Sequence, residues 1–532
     1  MMKNALCFRL SKSLSLPLLA SLLASAAFTH RASAQAFTPG DLLVSRSVYS
    51  GNASLITPNV TVLPGGAGAT AVADGSYNNV WNNEGPDPSF GITAPIFIDQ
   101  LTTSGNFVSS LSVNTSQLVT SFSSKSELSL SMSTDGSAVT FMGYVASVNS
   151  LDVSNSNTPG HVDGTNPVGL TFQRAVMQLN ADGTTQVTPV DTYSGNNGRA
   201  AILAVNANGL GQNYYYMVGN AGNGSGTEPV NIVNNTGVQM TTPGGSANTT
   251  VIGIQQGTPG ASNGFQFGYT VTENGLTADK SGKDDNFRGM TISNNTLYVS
   301  KGSGGNGIDT VYQVGTAGSL PTLNTANATS ITVLPGFNAT SAKTAISPSN
   351  PASNPFGLFF ANSTTLYVAD EGDAVLGDLT NGNDPNAGLQ KWSLVNGTWQ
   401  MDYVLKNGLN LGSNYTVGNL TLQTDGLRNL TGEVNSNGTV SLFATTAATG
   451  GLFDVGADPN MLVSITDNLS FGNVSQASGE QFTTIDAAAS GEVIRGVSFT
   501  PQNVPEPSTY ALLFGAGALG WVGWKRRRAS LA

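Results

Sequence analysis

The sequence predicts an all-β fold. From Phe37 to Thr500 no long stretch repeats apolar residues at helical spacing; short alternating or apolar runs recur instead, and Gly, Asn, Asp and Pro bound them. Composition agrees: 64 glycines and only 10% charged residues in 532 describe a chain of short strands and many turns. A hydrophobic share of 39% is enough to bury a core in a chain of this length.

The N-terminus comes first. Lys3, Arg9 and Lys12 precede an apolar stretch from Leu14 to Phe28, interrupted by Pro17, and Ala32-Ser33-Ala34 supplies the small residues that a signal peptidase accommodates. Residues 1–34 are therefore expected to be a secretory signal, cut after Ala34, with Ala32 and Ala34 at the cleavage positions. Cys7, the one cysteine, lies inside it, so the mature chain is expected to have neither disulfides nor thiol chemistry.

The expected body spans 35–500. Its first strands are Asp41–Ser45, Ala94–Leu101, Leu128–Ser133 and Ala138–Tyr144, the last two joined by Thr134-Asp135-Gly136-Ser137, where Asp-Gly supplies the positive φ angles of a tight hairpin. Ala175–Asn180 leads into another Asp-Gly turn at Asp182-Gly183.

The pattern then becomes regular. Phe287-Arg288-Gly289-Met290-Thr291-Ile292, a polar turn and Leu297-Tyr298-Val299 match Phe356-Gly357-Leu358-Phe359-Phe360, a polar turn and Leu366-Tyr367-Val368. Each is followed by a Gly-rich loop and a further strand, Thr310–Val314 or Gly388–Leu394. A third copy runs through 427–434, 438–446 and 462–467, and a closing unit starts at Ile494-Arg495-Gly496.

Repeats of about fifty to seventy residues with three or four strands each are the signature of propeller blades, because one small sheet cannot bury both faces until neighbours pack on it. A single β-propeller of seven blades is expected; a pair of β-sandwiches or a right-handed β-helix are the alternatives. Arg288–Ile292 and Gly357–Ala361 suit innermost strands, which are apolar with a small residue where they crowd the channel. In style this resembles the NHL and kelch-like propellers, but neither consensus is matched and no functional residue is carried over.

Residues 501–532 form a tail. Pro505-Glu506-Pro507 excludes helix, Ala511–Trp524 is an apolar run expected to be a transmembrane helix, and Lys525-Arg526-Arg527-Arg528 is a basic stop cluster that favours a cytoplasmic end. That order at the terminus, behind a secretory signal, resembles the PEP-CTERM sorting signal of bacterial exported proteins. The resemblance implies processing by exosortase, membrane anchoring before processing and then a cell-surface or extracellular location, in bacteria that commonly make extracellular polysaccharide. It covers only about the last thirty residues.

Charge narrows the function. With 32 acidic against 21 basic residues the net charge is -11, and four of the basic residues sit in the tail, so the body repels phosphate backbones and nucleic acid is an unsuitable partner. Of two histidines, His30 falls in the signal, which leaves His161 in a Pro-Gly-His-Val-Asp-Gly loop with no nucleophile elbow. Zinc and haem sites built on several His or Cys are excluded by count.

Oxygen ligands remain. Asp370, Asp373, Asp378, Asn381, Asn383 and Asp384 cluster on a Gly-rich loop and suit calcium, although no Glu closes an EF-hand. The segment 279–286 looks similar but carries its own lysines, which reads as self-neutralised surface. Asp370, Glu371, Asp373, Asp425 and Glu433 are candidate carboxylates for glycoside chemistry, and Trp392, Trp399 and Tyr403 could stack on sugars, although aromatic residues at strand spacing are usually core. The expected function is a non-catalytic, envelope-associated binding or matrix module, with polysaccharide or an envelope protein as the partner where it binds one. The alternative is a carboxylate-based, calcium-assisted hydrolase or lyase using Arg288 or Arg428 near the channel.

Overall fold

A computed structural model describes residues 37–502 except 50–55, 64–67, 73–90, 122–126, 223–228, 234, 256–268, 273–282, 376–383 and 451–455. The expected signal, the Pro505-Glu506-Pro507 motif, the apolar run and the basic cluster lie outside this description, apart from the isolated Trp521. Among the described residues no helix is long and apolar enough to cross a membrane.

Among the described residues six sheets of four to six strands stand around one axis, each with four antiparallel strands as its basis and its innermost strand running the same way along the axis. Blade 1 is split between the chain's ends: Glu492–Phe499 is innermost and pairs with Leu42–Val48, which is followed outward by Ile96–Leu101 and Phe107–Ser112. The five inner strands that follow are Ser131–Met132, Gly198–Ala204, Met290–Ser293, Pro355–Asn362 and Leu420–Val434. Blade 4 also recruits Tyr269–Thr272 and Ile254–Gln255 at its outer edge, and blade 6 carries Asn414–Val417 on its long inner strand.

The expectation of seven blades is thus corrected to six. The first and last strands of the chain belong to one blade, with Leu42 opposite Phe499 and Val48 opposite Glu492, so the closing unit completes the first blade instead of starting another. Sheet hydrogen bonds, not a covalent link, seal the ring between these two strands.

Packing follows the ring. Separate apolar clusters fill the six clefts between blades; Val139 and Ile98 meet between blades 1 and 2, Val311 and Leu358 between 4 and 5, and Phe443 and Val497 between 6 and 1. Each such fully buried side chain contributes about 1.5–3 kcal/mol relative to exposure.

Near the axis the strands crowd, and side chains are dispensed with. A Cβ on Gly289, Gly357 or Gly496 would overlap the carbonyl oxygen of Phe356, Arg428 or Leu128 on the next blade. Two of these carbonyls accept from hydroxyls of second strands: Ser45 donates to Leu128 (2.6 Å) and Ser300 to Phe356 (2.5 Å), while Thr140 donates to Ala201 (2.7 Å) across the next cleft. These pegs tie blade to blade where no strand ladder does.

The hairpin at Thr134–Ser137 differs in detail from expectation. Only Gly136 takes a positive φ (76°), and Asp135 instead caps the turn, its Oδ1 accepting from the Ser137 N–H and from two hydroxyls.

Candidate functional site

The innermost strands begin on one face of the ring, and there each blade brings a charged side chain toward the axis. Arg495 comes from blade 1, Glu127 from just before the inner strand of blade 2, Arg199 from blade 3 and Arg288 from the entry to blade 4. Glu371, at the end of the second strand of blade 5, and Arg428 of blade 6 complete the ring, and all six are at most 9% exposed.

The charges are held unequally. Arg428 donates from Nε to Glu371 at 3.0 Å. Glu127 accepts from Thr120 Oγ1 (2.9 Å), the Ser121 N–H (3.1 Å) and the Tyr144 phenol. Arg495 donates to Ser47, Tyr49 and the Ser121 carbonyl, and Arg288 to Ser303. Arg199 donates to Asn197, Asn286 and the Phe287 carbonyl, all neutral. Burial pushes its pKa well below the ordinary arginine value, and repulsion from Arg288 pushes the same way against the pull of Glu371 and Glu127. Because a guanidinium stays protonated in proteins, that depression measures an unfavourable site for a cation rather than a neutral arginine.

Beneath this ring lies the central channel, a cavity of about 380 Å³ to which all six inner strands contribute, through Ser498, Ser131, Ile202, Met290, Leu358 and Leu430 among others. None of its lining side chains is charged. Asn429 stands at its head, donating from Nδ2 to Ser129 Oγ and accepting from the Val497 N–H at 2.6 Å, so one amide joins blades 6, 1 and 2.

The sequence-expected oxygen ligands divide. Asp378, Asn381 and Asn383 lie outside the described residues. Asp373 and Asp384 come together with Asp425, which blade 6 supplies, and one carboxylate oxygen from each lies within 4.8 Å of the others. Asp370 is turned to the backbone instead, accepting from the Asn354 and Gly372 N–H groups (2.9 and 3.1 Å) and from Gln390 (2.9 Å). Burial, with repulsion from Asp373, raises Asp384 to about 6, and burial with repulsion from Asp384 raises Asp370 well above the usual range. Such crowding favours a proton or a cation among the three clustered carboxylates. Backbone N–H groups already hold each of them: Val375 on Asp373 (2.9 Å), Asp373 and Ala387 on Asp384 (3.1 and 3.2 Å), and Ala374 on Asp425 (2.7 Å).

Other candidates settle as structural. Trp392, Trp399 and Tyr403 are 9%, 5% and 5% exposed, and Trp392 stacks on Phe337 at 3.9 Å, so they are core and offer no sugar platform. His161 is partly buried, with Nδ1 at 2.8 Å from the Asn231 carbonyl and Nε2 at 3.1 Å from Asn235 Nδ2, so it packs as a loop bracket. Glu433 lies far along its strand, on the other face from the remaining carboxylates.

One expectation is overturned. Asp284, Asp285 and Asn286, read as self-neutralised surface, are 6%, 4% and 9% exposed, and Asn286 holds Arg199 at the ring. The sequence reasoning also missed Glu127, Arg199 and Arg495 as site residues. The two arginines share a signal, a small neighbour at Gly198-Arg199-Ala200 and Arg495-Gly496 in an apolar inner strand, as in Arg288-Gly289.

Comparison with curated proteins finds no match to this chain. Among solved structures, the parainfluenza virus 5 hemagglutinin-neuraminidase ectodomain is similar at 10% identity over 71% of this chain and 76% of that one, with a TM-score of 0.34. A second structure of that viral protein, at pH 8.0, matches at 10% identity over 74% and 83%, with a TM-score of 0.29. At the other extreme of specificity, residues 503–528 match the PEP-CTERM protein-sorting motif: the chain carries the tail of an exported, cell-surface-directed protein processed by exosortase.

Proposed function

We propose that the body is a non-catalytic binding module that holds an extracellular polysaccharide or an envelope protein. In this reading signal peptidase removes residues 1–34 after Ala34, the body spans 35–500, and the tail 501–532 anchors the protein until exosortase acts. The observation that carries it is the neutral channel: a carboxylate-based hydrolase would place titrating groups where six strands converge, and that cavity is lined by hydroxyl, amide and apolar side chains alone. The carboxylates outside it are engaged, Asp370 by backbone and amide donors and Glu371 by Arg428.

The test uses the exported, processed protein and the host's own exopolysaccharide. Co-sedimentation with the polymer and no release of new reducing ends is the expected result. New reducing ends or unsaturated products would replace this reading with a hydrolase or lyase.

A calcium ion at Asp373, Asp384 and Asp425, near Asp370, is the second proposal, favoured by the gathering of three carboxylates from two blades. Its effect would be to pin the blade 5 loop that carries Asp373 and Asp384 against blade 6. Calcium is expected to raise the melting temperature of the wild type and not of Asp425→Asn; equal responses would remove the site.

A further inference from the structure

A second cavity, of about 300 Å³, lies at the end of the cleft between blades 5 and 6. It is on the same face as the charged ring, because Thr424, which lines it, precedes Arg428 on the inner strand of blade 6. Its floor is apolar. Leu409 and Val463, 3% and 2% exposed, and Met461 belong to the core cluster that fills the cleft below. The rest of the lining is polar and carries no charge: Asn410, Ser413, Asn414 and Tyr415 from the chain that passes from blade 5 into blade 6, and threonines from the strands of blade 6.

The walls are fixed by bonds of their own. The Gly412 N–H donates to the Thr424 carbonyl at 2.9 Å and the Phe482 N–H to the Asn407 carbonyl at 2.8 Å, which ties the connecting segment 406–413 to both the inner and the outer side of blade 6. The Tyr415 phenol donates to the Pro459 carbonyl at 2.8 Å.

The polar groups of the lining are largely uncommitted. Among the described residues the Asn410 amide and the Ser413 hydroxyl bond to no protein group, and Asn414, whose Oδ1 accepts from Gln423 at 2.7 Å, has no protein acceptor for its Nδ2. The Thr484 hydroxyl meets only the Met461 sulfur, at 3.6 Å. A ligand that displaces water from these groups must offer donors and acceptors along an edge and an apolar face to the floor. A pyranose ring has both.

We infer that this pocket binds a neutral sugar unit of a polysaccharide, with its C–H face on Leu409, Met461 and Val463 and its hydroxyls on Asn410, Ser413 and Asn414. The inference rests on the binding-module reading and gives it a site and a ligand class. The volume is at the small end for ligand pockets, which suits one ring of a chain rather than several. Neutrality follows from the surroundings: the lining is uncharged, Thr424 leads directly into Asp425 of the carboxylate cluster, and a chain of net charge -11 repels an acidic polymer.

The experiment titrates the processed protein calorimetrically with maltotetraose, cellotetraose, galactotetraose and mannotetraose, beside sorbitol, which has hydroxyls without a ring, and tetragalacturonate, which adds charge. Saturable binding of at least one neutral tetrasaccharide, tighter than sorbitol and tetragalacturonate, is expected. Asn410→Gly keeps the left-handed backbone (φ 52°) while removing the amide, and combined with Ser413→Ala it should weaken binding about tenfold. Both positions are exposed, so the fold tolerates the change. Ser413→Trp fills the pocket and should abolish binding. Absence of neutral binding, tetragalacturonate binding at least as tight, or an undiminished response in the variants overturns the proposal.

Co-sedimentation with the host's exopolysaccharide separates the site from the reading it rests on. Polymer carried down equally by wild type and Ser413→Trp leaves the module and removes the site. Tetrasaccharide binding that the variants lose, with no polymer carried down, keeps the site and removes the host polysaccharide as partner.

Discussion

Asn429 is the residue whose loss should be felt furthest from where it sits. Its amide accepts from the Val497 N–H at 2.6 Å and donates to Ser129, and it is 5% exposed. Val497 belongs to the strand that closes the ring, so Asn429→Ala deletes a tie that holds this strand to blade 6 and, through Ser129, both to blade 2. Removing one partner of a buried pair costs about 1–3 kcal/mol for the donor left without an acceptor. With the Val497 N–H orphaned and the Ser129 hydroxyl released, a loss of about 2–4 kcal/mol is expected. The assay is native-state hydrogen exchange at Val497, because a propeller of this size is a poor subject for a single two-state free energy. Exchange at that amide should accelerate on the order of a hundredfold in Asn429→Ala. Asn429→Asp keeps the acceptor and should retain most of the protection, and Ser129→Ala should change it least. Unchanged exchange in Asn429→Ala would refute the tie, and equal loss in Asp and Ala variants would show that the carbonyl oxygen is not what holds Val497.

Three further outcomes follow from the same contacts. Ser300→Ala removes the donor to the Phe356 carbonyl (2.5 Å) and the acceptor of the Gly289 N–H (3.0 Å), and should cost about 1–3 kcal/mol in urea unfolding; a change under about 0.5 kcal/mol would make the peg ornamental. Lys391→Met leaves Asp467 buried without its cation, which now sits at 2.8 Å with Tyr403 at 2.5 Å, and should destabilise by about 3–5 kcal/mol, while a neutral result would show that the two phenols suffice. Burial raises Asp285 from 3.8 to about 7, so the folded state holds a proton that the unfolded chain has released, and wild-type stability falls as pH rises from about 4 through 7. Asp285→Asn should therefore be more stable than wild type at pH 8, by at most about 4 kcal/mol, and show no such gain at pH 4; a difference that does not change with pH would contradict the burial argument.

What the sequence makes legible is local. The inner hairpins of blades 4 and 5 stand out because apolar strands flank short polar turns, with Asn294 and Asn295 both at positive φ in the first. The blade count is hidden because blade 1 joins residues 42–48 to 492–499, and no local pattern announces a pairing between the ends of the chain. Blade 2 adds to this with an inner strand of only two residues. The acidic loop was legible as Asp373 and Asp384, but its third carboxylate, Asp425, comes from the next blade and belongs to a strand pattern in sequence. The charged ring was half visible. Arg288 and Arg428 precede the residues that line the channel, whereas Asp284–Asn286 read as surface because a run of acids and lysines is solvated unless a distant arginine waits for it, as Arg199 does.

The closing strand also orients the molecule relative to its tail. Glu492–Phe499 runs from the charged face to the opposite one, where Thr500 donates from its N–H to Asp41 (2.9 Å) and from its hydroxyl to Thr38 (2.8 Å), and the Gln502 N–H reaches the Gly136 carbonyl (2.9 Å). The sorting motif starts at residue 503, directly after these bonds. Whatever holds the tail therefore holds the face opposite the arginines, and the ring must close immediately beside the segment that is processed. If the tail anchors the chain before exosortase acts, as proposed, the charged mouth should point away from the membrane. The body has no cysteine of its own, so single cysteines report cleanly. Val375→Cys, at a position 50% exposed beside the acidic loop on the charged face, should react faster with a bulky maleimide on intact cells lacking exosortase than Asn437→Cys, exposed in a turn on the opposite face. In the released, processed protein the two rates should converge. A faster Asn437→Cys on cells would place the mouth against the membrane and deny an extracellular polymer the approach that the binding reading requires.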